Sequence, residues 1–245
     1  GLKQNSSGKN GVVWVRSTTV NQHQQPVLSW VRWVMVQKKN REAPAPETVI
    51  PELPEFVAAE SLALPENLKR HSDLWQRDLG VATGGKYWWD DYEAGECMRH
   101  PAGLTINESD HTMATHLYQN NARLHFDAHL MQSTPQGKCL VYGGVVISAC
   151  RALSYEGLEN AIAILAINGG THANPSYAGD TIYCLTKVLD KWSLPTPGLG
   201  ALRLRMVGVK NMPPTTLENS KTTQRYHPHV VLDLDYTVLI PRKGN

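Results

Sequence analysis

The chain has 245 residues, 24 Lys and Arg against 22 Asp and Glu, a formal net charge of +2, and 41% hydrophobic residues. That hydrophobic content supports a globular core of one large or two modest domains and argues against disorder, while the charge is too weak to imply nucleic acid. No apolar run reaches the ~20 residues that span a bilayer, and the opening GLKQNSSGKN has no signal-peptide core, so no membrane is expected.

In chain order, residues 11–20 (GVVWVRSTTV) and 27–36 (VLSWVRWVMV) read as strands around a polar turn at Asn21–Pro26. Residues 201–211 and 230–240 repeat that plan through a longer polar loop, and each copy ends in basic residues. This internal repeat predicts that residues 1–40 are the C-terminal strands of a first, incomplete domain. Residues 41–85 carry Pro44, Pro46, Pro51, Pro54 and Pro65 and read as a semi-rigid linker with short helices, one of them near Glu55–Leu62. A second, complete domain is expected over 86–245. Its first strand is placed near KYWWDDY, with a turn at Gly95.

A helix is expected after Asn107, which can cap it with Asp110 at N3. Met113, Ala114, Leu117 and Tyr118 share its apolar face. Asn120-Asn121 end it. Asp127 can cap a short helix over Ala128–Gln132, which Pro135 and Gly137 break. The run from Gly143 to about residue 155 is apolar nearly all round and predicts a buried helix. Strands follow at 160–168 and, after a turn at Pro175–Gly179, at 180–190. One helix wrapped by an antiparallel sheet is an α+β architecture. Cys97, Cys139, Cys150 and Cys184 form no CxxC pair and read as reduced thiols of a cytoplasmic protein.

The chemistry concentrates between Tyr118 and Gly144. His125 lies in a polar loop, and Gly143 and Gly144 open the apolar helix eighteen positions later. Bare N–H groups at a helix start attract negative charge, and a histidine beside them can move a proton. Together they point to chemistry next to a carbonyl, with a thioester as the preferred case. The alternatives are ordinary: a loop histidine bonded to backbone, and a glycine pair that lets helix and sheet pack closely. His125 and His129 stand at i,i+4, but no glutamate or third ligand completes a zinc site, so no metal is expected.

The stretch TINESDHTMATHLYQNNARLHFDAHLMQSTPQGKCLVYGGVVISA resembles the active-site region of the MaoC-like, (R)-specific enoyl-CoA hydratases, which have a hotdog fold. In that family a loop reading Gly-Asp-x-Asn-Pro-Leu-His-x-Asp precedes a helix opening Val-His-Gly. His125 fits the family histidine, Leu124 and Asp127 flank it correctly, and Gly143 falls at the oxyanion-hole glycine. ANPSYAGDTIY resembles the Pro-x-x-x-Gly-Asp strand start through Pro175, Gly179 and Asp180, and YWWDDYEAG resembles the opening strand. The family aspartate is Asn120 here, its Asn-Pro is Ala122-Arg123, and its histidine before the glycine is Tyr142. QNNARLHFDAH is most similar to the mesaconyl-CoA hydratase (β-methylmalyl-CoA dehydratase) branch.

The resemblance implies a double hotdog with its first copy incomplete and a hydro-lyase acting on an enoyl-CoA. His125 would be the acid/base group, Asn120 would position water or the imidazole, and Gly143 would hold the thioester oxygen. Gly144 and Tyr142 would border the substrate, and Arg123 would face its second carboxylate. Asp127 could take over from the missing aspartate, although a helix cap is its simpler role. Arg123, Lys138 and Arg203 are candidates for CoA phosphates, with surface charge as the plain alternative. No cofactor is implied beyond the CoA of the substrate, and a homodimer is. Two rivals remain: a hotdog thioesterase, which generally needs a carboxylate that residues 143–155 lack, and a degenerate acyl-CoA-binding or oligomerisation module.

Overall fold

The computed structural model describes residues 1–70, 79–213, 221–222 and 225–243. Parts of the linker (71–78) and of the long polar loop (214–220 and 223–224) lie outside the described residues. The chain divides into two units, Gly1–Pro54 and Glu55–Asn245.

In the first unit, strands β1 (Leu2–Gln4), β2 (Asn10–Val20) and β3 (Pro26–Gln37) form an antiparallel sheet in that order. The Asn21 side chain accepts from the His23 and Gln25 N–H groups at 2.9 and 3.0 Å, the Asx chemistry that lets asparagine open a hairpin. Strands β2 and β3 pair with Trp14 opposite Trp33.

The second unit opens with a single turn at Ala59–Ser61, inside the span where a helix was expected, and with the short helix α1 (Glu66–Arg70). The expected strand at KYWWDDY is instead a 3₁₀ turn over Trp89–Asp91. Long-range contacts override its aromatic, strand-like composition. Trp89 donates to the Ala201 carbonyl at 3.2 Å, and its ring lies so close to Gly200 that a Cβ there would sit 2.3 Å from it. Asp90 accepts from the Lys243 N–H at 2.8 Å and from Arg242 at 3.1 Å. The first strand of this unit is β4 (Cys97–Thr105), after the turn at Gly95, where φ is +94°.

Helices α2 (Glu108–Leu117), α3 (Ala128–Gln132) and α4 (Gly143–Leu153) follow. Strands β5 (Ala163–Thr171), β6 (Thr181–Ser193) and β7 (Leu199–Lys210) come next, then the two-residue strands β8 (Lys221–Thr222) and β9 (Arg225–Tyr226), and finally β10 (Val230–Pro241). The main sheet runs β4-β6-β7-β10-β5, antiparallel throughout. The long strands β7 and β10 pair directly, as β2 and β3 do.

Alternate residues of these strands point at α4, as a period of two requires. Ile182, Cys184 and Val188, Leu202, Leu204 and Met206, and Leu232 through Ile240 at every second position meet Val146, Ala149 and Cys150. The opposite face carries Leu199, Ala201 and Leu239 under Leu62, Leu64 and Leu68. Leu204 is fully buried, so Leu204→Ala should destabilise the fold by about 2–5 kcal/mol, read as a shifted denaturant midpoint.

Two expectations about the helices need correcting. Helix α4 is not enclosed all round: Ser148 and Ala152 are exposed, because the sheet covers one flank only. On α2 the expected apolar face looks outward, with Met113 68% and Leu117 71% exposed, while His111 and Thr115 are buried. On the buried face Thr115 donates to the His111 carbonyl at 2.7 Å and His111 Nε2 meets Glu108 at 3.3 Å, while His111 Nδ1 is buried with no hydrogen-bond partner among the described residues.

Candidate active site

A cleft of about 670 Å³ runs along the start of α4. Its wall is largely apolar, from Leu140, Val141, Val146, Ile147, Ala173, Pro175 and Val231. The polar groups along it are His125, Gln136, Tyr142, His172, Asn174 and Ser176, with the glycines at 143 and 144.

The loop carrying His125 is fixed by short-range bonds that residue type explains. The Asn120 side chain accepts from the Ala122 N–H at 2.9 Å and closes an Asx turn after α2. Residues Arg123–His125 then make one 3₁₀ turn. Asp127 caps α3 as expected, accepting from the Leu130 N–H at 2.9 Å, and Arg123 grips its other oxygen at 2.5 Å. The Leu130 N–H first, and then the Arg123 guanidinium, hold the Asp127 carboxyl below the ordinary aspartate range. That anion is fully engaged and poorly suited to taking a proton.

His125 itself is half-buried, with Nδ1 3.0 Å from the Leu140 carbonyl. A carbonyl can only accept, so Nδ1 carries the hydrogen and the neutral ring keeps its lone pair on Nε2. The Leu140 N–H donates back to the Leu124 carbonyl at 3.0 Å, tying the loop to the segment entering α4. Tyr142 meets the imidazole edge to face with ring centroids 5.8 Å apart.

Tyr142 is also the N-cap of α4, with no side chain capping the helix. Among the described residues nothing accepts from the Gly143 and Gly144 N–H groups, which form the positive end of an eleven-residue helix. A Cβ at 143 would lie 2.5 Å from His172 Nε2, and one at 144 would lie 2.8 Å from the Tyr142 ring. Glycine is therefore what brings these rings against the helix start.

The sequence does not single out His172, Asn174 and Ser176, although the first two lie just before the Pro175–Asp180 pattern and the third lies within it. Asn174 Nδ2 donates to the Val230 and His227 carbonyls at 2.7 and 3.1 Å, and the Ala173 N–H to Val231 at 3.1 Å, which anchors the segment to β10. The turn beyond it works as the pattern requires. Gly179 has φ +94°, and Asp180 accepts from the Tyr177 N–H at 2.9 Å and the Asn211 amide at 2.7 Å. His172 keeps an accessible edge on the cleft. Loss of solvent around its packed flank first, and then the neighbouring His125, hold its imidazole below the ordinary histidine value, although the residue as a whole is exposed.

The cleft thus brings together His125, Tyr142, Gly143 and Gly144 of the expected site. Asn120 and Arg123 lie outside its lining: the first acts on the loop backbone, the second on Asp127. Lys138 sits over the Tyr177 ring at 4.5 Å, and Arg203 is bound to Asp235 at 2.6 Å on the sheet. His125 and His129 are separated by the Asp127 cap rather than sharing one helix. Among the described residues no three His, Cys, Asp or Glu side chains gather as a metal site. No described helix is long and apolar enough to cross a membrane. The four cysteines are free thiols.

The family model described as mesaconyl-CoA hydratase matches residues 4–209. The chain is 48% identical over its full length to a β-methylmalyl-CoA dehydratase of Chloroflexus aurantiacus, of which it covers 68%. It superposes with a TM-score of 0.91 and 46% identity on a crystal structure of a MaoC domain protein dehydratase from the same organism, covering 100% of this chain and 68% of that one. A Mycobacterium tuberculosis protein with a double hotdog fold gives a TM-score of 0.66 at 21% identity, covering 98% of this chain and 66% of that one. This last likeness is one of fold alone.

Proposed function

The chain belongs to the mesaconyl-CoA hydratase family, and on that premise we propose that its cleft adds water reversibly to an enoyl-CoA thioester of the mesaconyl-CoA/β-methylmalyl-CoA type. The protein is a hydro-lyase with an α+β hotdog fold, and its substrate is an acyl-CoA. The observation that supports the site assignment is that His125, Gly143 and Gly144 line one cleft.

In hydration His125 Nε2 takes a proton from water as the water oxygen bonds to the β-carbon. The electron pair of the double bond moves toward the thioester, and the resulting enolate oxygen is held by the Gly143 N–H, with Gly144 and Tyr142 bordering it. The imidazolium then returns its proton to the α-carbon. Dehydration runs the same steps backwards. No cofactor enters this scheme, because the thioester itself acidifies the α-position. Asn120 is a positioning residue, acting through Ala122 on the loop that carries His125. A cytoplasmic homodimer belongs to the same reading, and Ile164 and Ile167, exposed on the edge strand β5, offer apolar surface for it.

The test is a spectrophotometric assay with mesaconyl-CoA and crotonyl-CoA side by side. Loss of enoyl absorbance with mesaconyl-CoA, and little with crotonyl-CoA, is the expected result. Release of free thiol with the double bond intact would make the protein a thioesterase and overturn the reading.

A further inference from the structure

If the acyl group carries a free carboxylate, the cleft must receive it. Arg123, the nearest cation in sequence, is held by Asp127 outside the lining, and among the described residues no Lys or Arg lines the cleft. Two other features of the wall remain unexplained. Ser176 is 5% exposed and lines the cleft, and its buried hydroxyl oxygen has no hydrogen-bond partner among the described residues. A buried hydroxyl in a mostly apolar wall is costly unless something bonds to it. Four residues earlier, His172 reaches the same cleft, and no described residue hydrogen-bonds either of its ring nitrogens.

We propose that Ser176 and His172 form the seat for the carboxylate of the acyl group, and so set the preference for a carboxylated over a plain enoyl thioester. Both can donate to an anion, and among the described residues no acidic side chain lines the cleft to repel it. The segment that carries them is braced. Asn174 spends its amide on two carbonyls of the chain approaching β10, and the Ser176 carbonyl accepts from the Val141 N–H at 2.9 Å. The donors are therefore held in place before the substrate arrives, so little ordering is needed on binding. The thioester end is fixed at the α4 start, against which His172 is packed. A short acyl chain held there by its thioester lies in the same cleft as residues 172–176. The inference rests on the hydratase reading above.

The test is steady-state kinetics of the wild type, Ser176→Ala and His172→Gln on mesaconyl-CoA and crotonyl-CoA. Each substitution should lower the ratio of kcat/KM for mesaconyl-CoA to that for crotonyl-CoA by about 10- to 100-fold, the worth of a hydrogen bond to a charged group, chiefly through KM. An unchanged ratio in both variants overturns the seat, as does a wild type that hydrates the two substrates equally well; in either case the hydratase reading stands. A wild type that hydrates neither substrate removes the hydratase reading, and the seat with it.

Discussion

His125→Ala should lower kcat for hydration by about 10²–10⁴-fold, the usual contribution of a positioned proton-transfer group. The fold has little reason to respond. Among the described residues the imidazole makes one hydrogen bond, to the Leu140 carbonyl, and the Leu140 N–H to Leu124 carbonyl bond holds the loop without it. Losing one such bond costs on the order of 1 kcal/mol, so the thermal midpoint should move only slightly. His125→Gln separates the two roles of the side chain. Its amide can still donate toward Leu140, but it cannot take a proton from water. Stopped-assay rates for both variants should be equally depressed. A glutamine variant close to wild type would mean that His125 only shapes the loop. In that case proton transfer would have to be sought at His172, which shares the cleft.

The parts of this molecule legible in sequence are those governed by near neighbours. Asp127 caps α3 because a carboxylate three residues before a free N–H is a local arrangement, and Asn107 with Asp110 opens α2 in the same way. Strand β6 alternates because one face packs on α4, whereas β7 and β10 alternate only in their middles, at Arg203 and Arg205 and at Asp233 and Asp235, and are buried on both faces elsewhere. What sequence misplaces is decided by distant contacts. KYWWDDY has strand-like composition, but Trp89 finds Gly200 and Asp90 finds Arg242, each more than a hundred residues away. Strand β4 is hidden by Pro101 and Gly103. An edge strand tolerates the proline, its pairing with β6 is irregular between His100 and Leu104, and Gly103 lies under the Tyr183 ring, where a Cβ would be 2.5 Å away. The apolar face of α2 points outward although its spacing is helical, since periodicity identifies a face and not the side it turns to. In the site, His125, Gly143, Gly144 and Tyr142 are recoverable because the loop and the helix start are continuous motifs. His172 and Ser176 are not, because their importance comes from β5 delivering the chain back to the α4 start.

Gly143→Ala tests that meeting point directly. The new methyl would lie 2.5 Å from His172 Nε2, 2.7 Å from Cε1 and 3.0 Å from Cδ2. The obstacle is a side chain with an accessible edge on the cleft, so the imidazole can swing away, and alanine suits a helix start better than glycine. Stability should therefore be nearly unchanged, while the displaced ring and the methyl crowd the place where the enolate oxygen must sit. Loss of one oxyanion donor typically costs about 10²–10³ in kcat, and a deficit of that order is expected here. Adding His172→Ala to Gly143→Ala removes the clash but not the methyl. If steric displacement is the cause, the double variant should recover part of kcat, giving a positive coupling between residues in contact. Deficits that simply add would place His172 away from the thioester oxygen, and a fully active Gly143→Ala would show that the α4 start does not hold that oxygen.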